Sequence, residues 1–234
     1  MIDITMTATV RPYILERTLD SFFENMLKNT KRDLRLILNV DPIGDEDYRQ
    51  EDVLIVAKKY FKDIVYNFPD KPGFCEAVIW CWKNTVAPYI FHLEDDWILM
   101  RNVDLLKITR ILNETKNLVS VRLNKEHLTD GEKLEIVEGC DIVYSNTISL
   151  NPTIFTGNFV RNIVPVMDSS LNPEKQLRPS QKTKRGRMIS LCKNAIYIGS
   201  GYSRIVLDIG REWMNASKFE KETGFRNWKI KEEN

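Results

Sequence analysis

Histidine is scarce in this chain: only His92 and His127 occur among 234 residues. The four cysteines, at positions 75, 81, 140 and 192, form no CxxC pair. A histidine–cysteine zinc cage is therefore not expected, and any metal must be held mainly by oxygen. Cys75 and Cys81 fall inside an apolar helical pattern and read as small buried hydrophobes, reduced by default. No run approaches the roughly 18 apolar residues of a membrane-spanning helix. The start, MIDITM, has neither a basic region nor a long apolar stretch and reads as a strand, so the expectation is a cytoplasmic protein. The charges nearly cancel, to +1, which leaves no global field to recruit nucleic acid or an anionic membrane. Internal repeats and linkers are also missing, so one domain is expected over 1–234.

What is present is a regular alternation. Ile2, Ile4 and Met6 alternate with polar residues as in a strand that ends at Thr9-Val10-Arg11-Pro12. Pro12 suits the first turn of a helix, and Leu15, Leu19, Phe22, Phe23 and Met26 repeat at helical spacing. Residues 34–40 (LRLILNV) read as a strand ending at Asp41-Pro42, 53–61 as a helix and 64–68 as a short strand. Phe74, Val78, Cys81 and Trp82 mark a helix face after Lys71-Pro72-Gly73. Residues 89–93 (YIFHL) form a buried strand, Leu105, Ile108 and Leu112 another helix face, and 118–123 another strand. Strands alternating with helices predict an α/β fold with a mainly parallel central sheet flanked by helices. The second half is less regular. Residues 124–140 read as a polar insertion, 142–155 as strand-like runs, 172–187 as a basic, mobile loop, 195–198 as a last strand and 205–214 as a helix.

The most informative stretch is Glu94, Asp95 and Asp96, three carboxylates directly after the buried strand 89–93. Like charges this close repel one another, and desolvation opposes their ionisation further. Water or a cation must stabilise them. Mg²⁺ and Mn²⁺ are held by one or two carboxylates together with substrate phosphates. In a parallel sheet ligands bind beyond the carboxyl ends of the strands, where this trio lies. Alternation along an extended strand end would put Glu94 and Asp96 on one side and Asp95 on the other.

Thr7-Ala8-Thr9-Val10-Arg11-Pro12, then Val40-Asp41, then Glu94-Asp95-Asp96 resembles, in order and spacing, the donor half of GT-A glycosyltransferases, especially family 2-like enzymes. The likeness covers roughly residues 1–125 well and the rest loosely. The metal motif opens with Glu in place of the usual Asp, and the first turn lacks the usual Asn. The resemblance implies a nucleotide-sugar-binding half over 1–125 and an acceptor-side half over 126–234. It implies a nucleotide-diphosphate sugar as donor and Mn²⁺ or Mg²⁺ as cofactor. The base, ribose and diphosphate would be held by Thr9, Arg11, Asp41, the Gly73 loop, Glu94 and Asp95, and the metal by Asp96 and Glu94. Asn172-Pro173-Glu174 resembles the acidic loop that supplies the base in inverting members, with Asp168 as the other candidate. Asn151-Pro152-Thr153 resembles the segment lining the acceptor cleft. The basic run 182–187 would close over donor phosphates or meet an anionic acceptor, and Gly199-Ser200-Gly201-Tyr202 would approach a phosphate.

The reaction so implied is sugar transfer, with inversion, to a glycan, a lipid-linked group, a protein or another acceptor. A nucleotidyltransferase making a nucleotide sugar is an alternative, weakened because no Gly-rich phosphate loop follows the first strand. A non-catalytic sugar-binding module on the same fold is the other. The sequence does not specify an oligomeric state.

Overall fold

The structure is a computed structural model describing residues 1–125, 136–137, 141–199, 204–217, 219–221 and 228–230. The chain opens β1 (Ile2–Val10), α1 (Pro12–Phe22), β2 (Leu34–Gly44), α2 (Gln50–Ala57), β3 (Asp63–Asn67), α3 (Phe74–Lys83) and β4 (Tyr89–Glu94). After a two-residue turn come β5 (Trp97–Leu99), α4 (Leu105–Glu114) and β6 (Leu118–Leu123). The second half adds β7 (Ile136–Val137), β8 (Ile142–Ser145), β9 (Thr153–Thr156), α5 (Gly157–Ile163), α6 (Lys184–Ser190) and β10 (Lys193–Tyr197). β11 (Val206–Asp208), α7 (Gly210–Ala216), β12 (Phe219–Lys221) and β13 (Trp228–Ile230) follow.

A nine-stranded sheet runs β3-β2-β1-β4-β9-β6-β10-β8-β7. β1 to β4 pair in parallel, as do β6 and β10. β9 runs antiparallel to both of its neighbours, β4 and β6, so a strand of the second half is wedged between two of the first. Helices cover both faces. Leu15, Leu19 and Phe22 of α1 and Ile108 and Leu112 of α4 pack on the side of Ile4, Met6 and Phe91. Val78 and Trp82 of α3, Val160 of α5 and Ile189 of α6 pack on the side of Ile37, Ile90 and Phe155. Adjacent residues of β4 (Ile90, Phe91) and of β9 (Ile154, Phe155) fall into opposite cores, as the two-residue period requires.

The polar face of β1 is also buried. Asp3, Thr5, Thr7 and Thr9 are all under 10% exposed, and each buried polar group needs a partner. Asp3 accepts the fork of Arg35 (2.9 and 3.0 Å) and the N–H groups of Val86 and Ala87 (2.7 and 2.8 Å). The Thr5 hydroxyl lies 3.0 Å from His92 Nδ1, and burial pulls the imidazole pKa down to about 3, so His92 is a neutral core group. Cys75 and Cys81 are free, buried thiols, as expected.

Three assignments change. Residues 205–214 are not one helix: β11 pairs with β5 before α7 begins at Gly210. The helix expected over 53–61 starts earlier and ends at Ala57. The basic stretch 182–187 is no mobile loop. Thr183 Oγ1 caps α6 at the Gly186 N–H (2.9 Å), and Arg185 binds the carbonyls of Gln176 and Val166 (2.9 and 2.8 Å). Among the described residues no helix is long and apolar enough to cross a membrane.

Candidate active site

The tips of β1, β2 and β4 lie side by side because Thr7 is in register with Asn39 and Glu94. The acidic trio straddles the end of β4: Glu94 is its last residue, while Asp95 and Asp96 form the turn into β5. Asp95 is buried while Glu94 and Asp96 on either side of it stay partly exposed, as the alternation expected.

Asp95 turns inward and is 3% exposed. Its Oδ2 accepts the Thr9 N–H (3.0 Å), the Thr9 hydroxyl (3.3 Å) and Arg11 Nε (3.3 Å), and its Oδ1 accepts Arg11 Nη2 (2.5 Å). Its own carbonyl accepts the Thr18 hydroxyl at 2.7 Å. Arg11, also 3% exposed, reaches Asp96 Oδ2 (3.3 Å) and lies 4.7 Å over the ring of Trp213. Burial disfavours the guanidinium charge, but Asp95 and then Asp96 outweigh that, and its pKa ends above the usual value. Thr9, Arg11 and Asp95, expected to touch the donor, thus satisfy one another and tie β1 to β4.

Asp96 stays partly exposed, its side chain at 19%. α7 is pressed against it: the Ile209 N–H donates to the Asp96 carbonyl (2.8 Å), and a Cβ on Gly210 would fall 2.0 Å from Asp96 Oδ2. Only glycine allows that approach. Trp213 Nε1 donates to Asp45 Oδ1 (2.9 Å), so α7 bridges the tips of β1 and β2.

Asp41 is 5% exposed and accepts the Gly73 N–H (3.0 Å) and the Asn39 amide (2.8 Å). Burial pushes its pKa up to about 6 against these two hydrogen bonds, with Glu76 and Asp95 adding to the rise. Asp41 and Gly73, two expected donor contacts, therefore form one fixed pair at the start of α3.

Glu94 faces a cavity of about 360 Å³. Glu174, brought in by the chain between α5 and α6, lines the same cavity, with Asn151, Asn172, Lys175, Arg178, Asp208 and Lys125. Glu174 Oε1 accepts the Ser149 hydroxyl (2.6 Å) and the Leu150 N–H (3.3 Å). Asp168 does not line this cavity. It is exposed, and its Oδ1 accepts the N–H and hydroxyl of Ser170 (2.9 and 2.6 Å), a local turn. Of the expected Gly199–Tyr202 turn, residues 200–202 lie outside the described residues.

Lys125, Arg178 and Asp208 were not singled out from the sequence. Asp208 sits in a stretch whose apolar pattern reads as helix, and no local signal pairs it with Trp97, its neighbour across β11 and β5. Among the described residues no three His, Cys, Asp or Glu side chains converge into a ready metal cage.

No protein-family model and no curated protein sequence matches the chain. Solved structures do. Residues 1–349 of S. aureus TarS superpose with a TM-score of 0.57 at 8% identity, over 86% of this chain and 59% of that one. A mannosyltransferase from Pyrobaculum calidifontis, solved with GDP-Man and Mn²⁺, gives 0.55 at 10% identity, over 86% and 58%. GalNAc-T7, solved with UDP, GalNAc and Mn²⁺, gives 0.58 at 9% identity, over 83% and 41%. The chain has a GT-A-like fold: a mixed α/β domain on a large, mainly parallel central sheet flanked by helices. It spans less than two thirds of each of these relatives.

Proposed function

We propose that the chain is a glycosyltransferase that moves a sugar from a nucleotide-diphosphate donor to an acceptor hydroxyl with inversion. One observation carries the reading: on a GT-A-like sheet, Glu94 at the tip of β4 and Glu174 from the acceptor-side half share one cavity. Glu174 is the base. Ser149 and Leu150 fix its Oε1, while Oε2 has no hydrogen bond among the described residues. As Glu174 takes the acceptor O–H proton, the acceptor oxygen bonds to the anomeric carbon. The bond from that carbon to the diphosphate breaks, and the nucleoside diphosphate leaves. The exposed local turn of Asp168 gives it no part in this step.

Donor binding falls to the strand tips, with Asp41 and Gly73 beside the nucleotide. Thr9, Arg11 and Asp95 act as positioning residues that hold Asp96 and Glu94 in place. Glu94 opens to the cavity and Asp96 stands partly exposed beside it, a one-to-two-carboxylate oxygen set that fits Mg²⁺ or Mn²⁺ shared with substrate phosphates. Such an ion, when bound, stabilises charge on the departing diphosphate. The chain's own residues orient the two substrates, lowering the entropic barrier to their meeting.

The test is nucleoside diphosphate release from a panel of nucleotide sugars with Mn²⁺, Mg²⁺ or chelator. We expect metal-dependent release from one donor, lowered at least about 100-fold in Glu94→Gln with the melting temperature unchanged. Equal release with chelator present, or from the variant, overturns the assignment. One observation favours a second reading: Arg11 contacts two of the three carboxylates, as a non-catalytic nucleotide-sugar-binding module would tolerate. Donor binding with no release under any condition would select it.

A further inference from the structure

A second cavity, of about 290 Å³, adjoins the first and shares Trp97, Lys125 and Asp208 with it. Three segments meet there. The Asn124 carbonyl, just past β6, accepts the N–H groups of Ile205 and Val206 (2.7 and 3.1 Å), which brings Lys125 beside the start of β11. β11 pairs with β5 and sets Asp208 opposite Trp97. Arg204 precedes β11, and Arg211 lies in the first turn of α7. Lys125, Arg204 and Arg211 thus line one space.

Among the described residues Trp97 Nε1 and Arg204 Nε are buried with no hydrogen-bond partner, and Trp97 is only 5% exposed. A buried donor left unpaired is costly, so native proteins seldom keep one without reason. Both side chains line the second cavity, so a ligand seated there is a ready source of the missing acceptor. The one carboxylate of the lining, Asp208, is already engaged: Oδ1 accepts the Gly210 N–H (3.0 Å) and Oδ2 accepts Arg211 Nε (3.4 Å). An indole donor, a guanidinium edge and two further cations suit an oxyanion, either a phosphate ester or a carboxylate.

We infer that this second cavity binds an oxyanion carried by the acceptor, so that the acceptor of the proposed transfer is an anionic molecule. This rests on the glycosyltransferase reading, and it adds a substrate class to it. Thr9, Arg11, Asp41 and Gly73 do not line the cavity, and its neighbour holds both Glu94 and the proposed base Glu174. The donor diphosphate carries the same chemistry, and the experiment separates the two sources.

In ¹⁵N-labelled protein the Trp97 indole resonance is identified by its absence in Trp97→Phe, which keeps the aromatic packing. Glycerol 3-phosphate should shift that resonance saturably. Arg204→Gln should weaken the affinity at least about tenfold, by loss of a charge-assisted pair, while Arg204→Lys, a control for folding, should weaken it less. Saturating UDP or GDP with Mn²⁺ should leave the affinity unchanged. No response of Trp97 to the phosphate ester overturns the site, and competition by the nucleotide assigns it to the donor and overturns the acceptor's charge. A Trp97 response that persists while no nucleotide sugar is turned over sinks the glycosyltransferase reading and leaves the oxyanion site standing.

Discussion

β1 is pinned at both ends by an arginine–aspartate pair, with a half-buried Arg35 at its start and a buried Arg11 at its end, and the two pairs do different things. At its start Asp3 is fully buried, and four protein N–H groups, from Arg35, Val86 and Ala87, fill its acceptor positions. Asp3 lines none of the described cavities. At its end Arg11 and Asp95 are just as buried, yet Arg11 also reaches the partly exposed Asp96, next to the residue that faces the cavity. The first pair closes a structure. The second carries its rigidity to the rim of the site. The same chemistry therefore serves the fold at one end of the strand and fixes the candidate site's residues at the other.

The largest effects should come from breaking either pair. Asp95→Ala should lower the unfolding free energy in urea by about 3–5 kcal/mol, because it strands the buried Arg11, and Asp3→Ala by less, because Arg35 is half-buried. Replacing both Arg11 and Asp95 by apolar residues should cost less than Asp95→Ala alone. A loss below about 1 kcal/mol in either alanine variant would remove the premise of two anchors. Next, Glu174→Gln should lower the rate of transfer at least about 100-fold, the scale of a general base. Glutamine still accepts from Ser149, so the melting temperature should hold, unlike that of the anchor variants.

Asp41 sharpens the comparison, being a carboxylate buried without a cation. Its folded pKa of about 6 lies above the ordinary carboxylate value of 3.8, so the folded state holds its proton more tightly than the unfolded one. Its contribution favours folding below pH 4 and is lost as pH rises through 6. Relative to wild type, Asp41→Asn should gain roughly 3 kcal/mol of stability between pH 4 and pH 7. A pH-independent difference would show that Asp41 is as well neutralised as its paired counterparts. The smallest effect is expected at Thr18, whose hydroxyl holds the Asp95 carbonyl. Thr18→Val should destabilise by about 1 kcal/mol, read by thermal melting.

Much of the first half was legible because it rests on local periodicity. Ile2, Ile4 and Met6 mark β1, and the apolar run 89–93 delivers the acidic trio to the end of β4. The ion-pair partner of the carboxylates was not legible. Asp95 and Asp96 stand in a turn, and their shared partner, Arg11, lies more than eighty positions away. β11 was missed as a strand for a related reason: it is three residues long and is defined by pairing with β5, not by a pattern of its own. Glu174 was singled out only through resemblance and lines the cavity with Glu94, whereas Asp168, equally acidic nearby, lies in an exposed turn outside it.

The wedged strand β9 has a consequence for how the chain is made. Until Thr153–Thr156 has left the ribosome, the flank of β4 that it will occupy presents bare amide and carbonyl groups. Exposed edges of this kind invite pairing with other chains, and sheets closed by remote segments assemble slowly. The acidic tip of β4 therefore acquires its final surroundings late in synthesis, so the active centre is completed only when the second half of the polypeptide folds back onto the first.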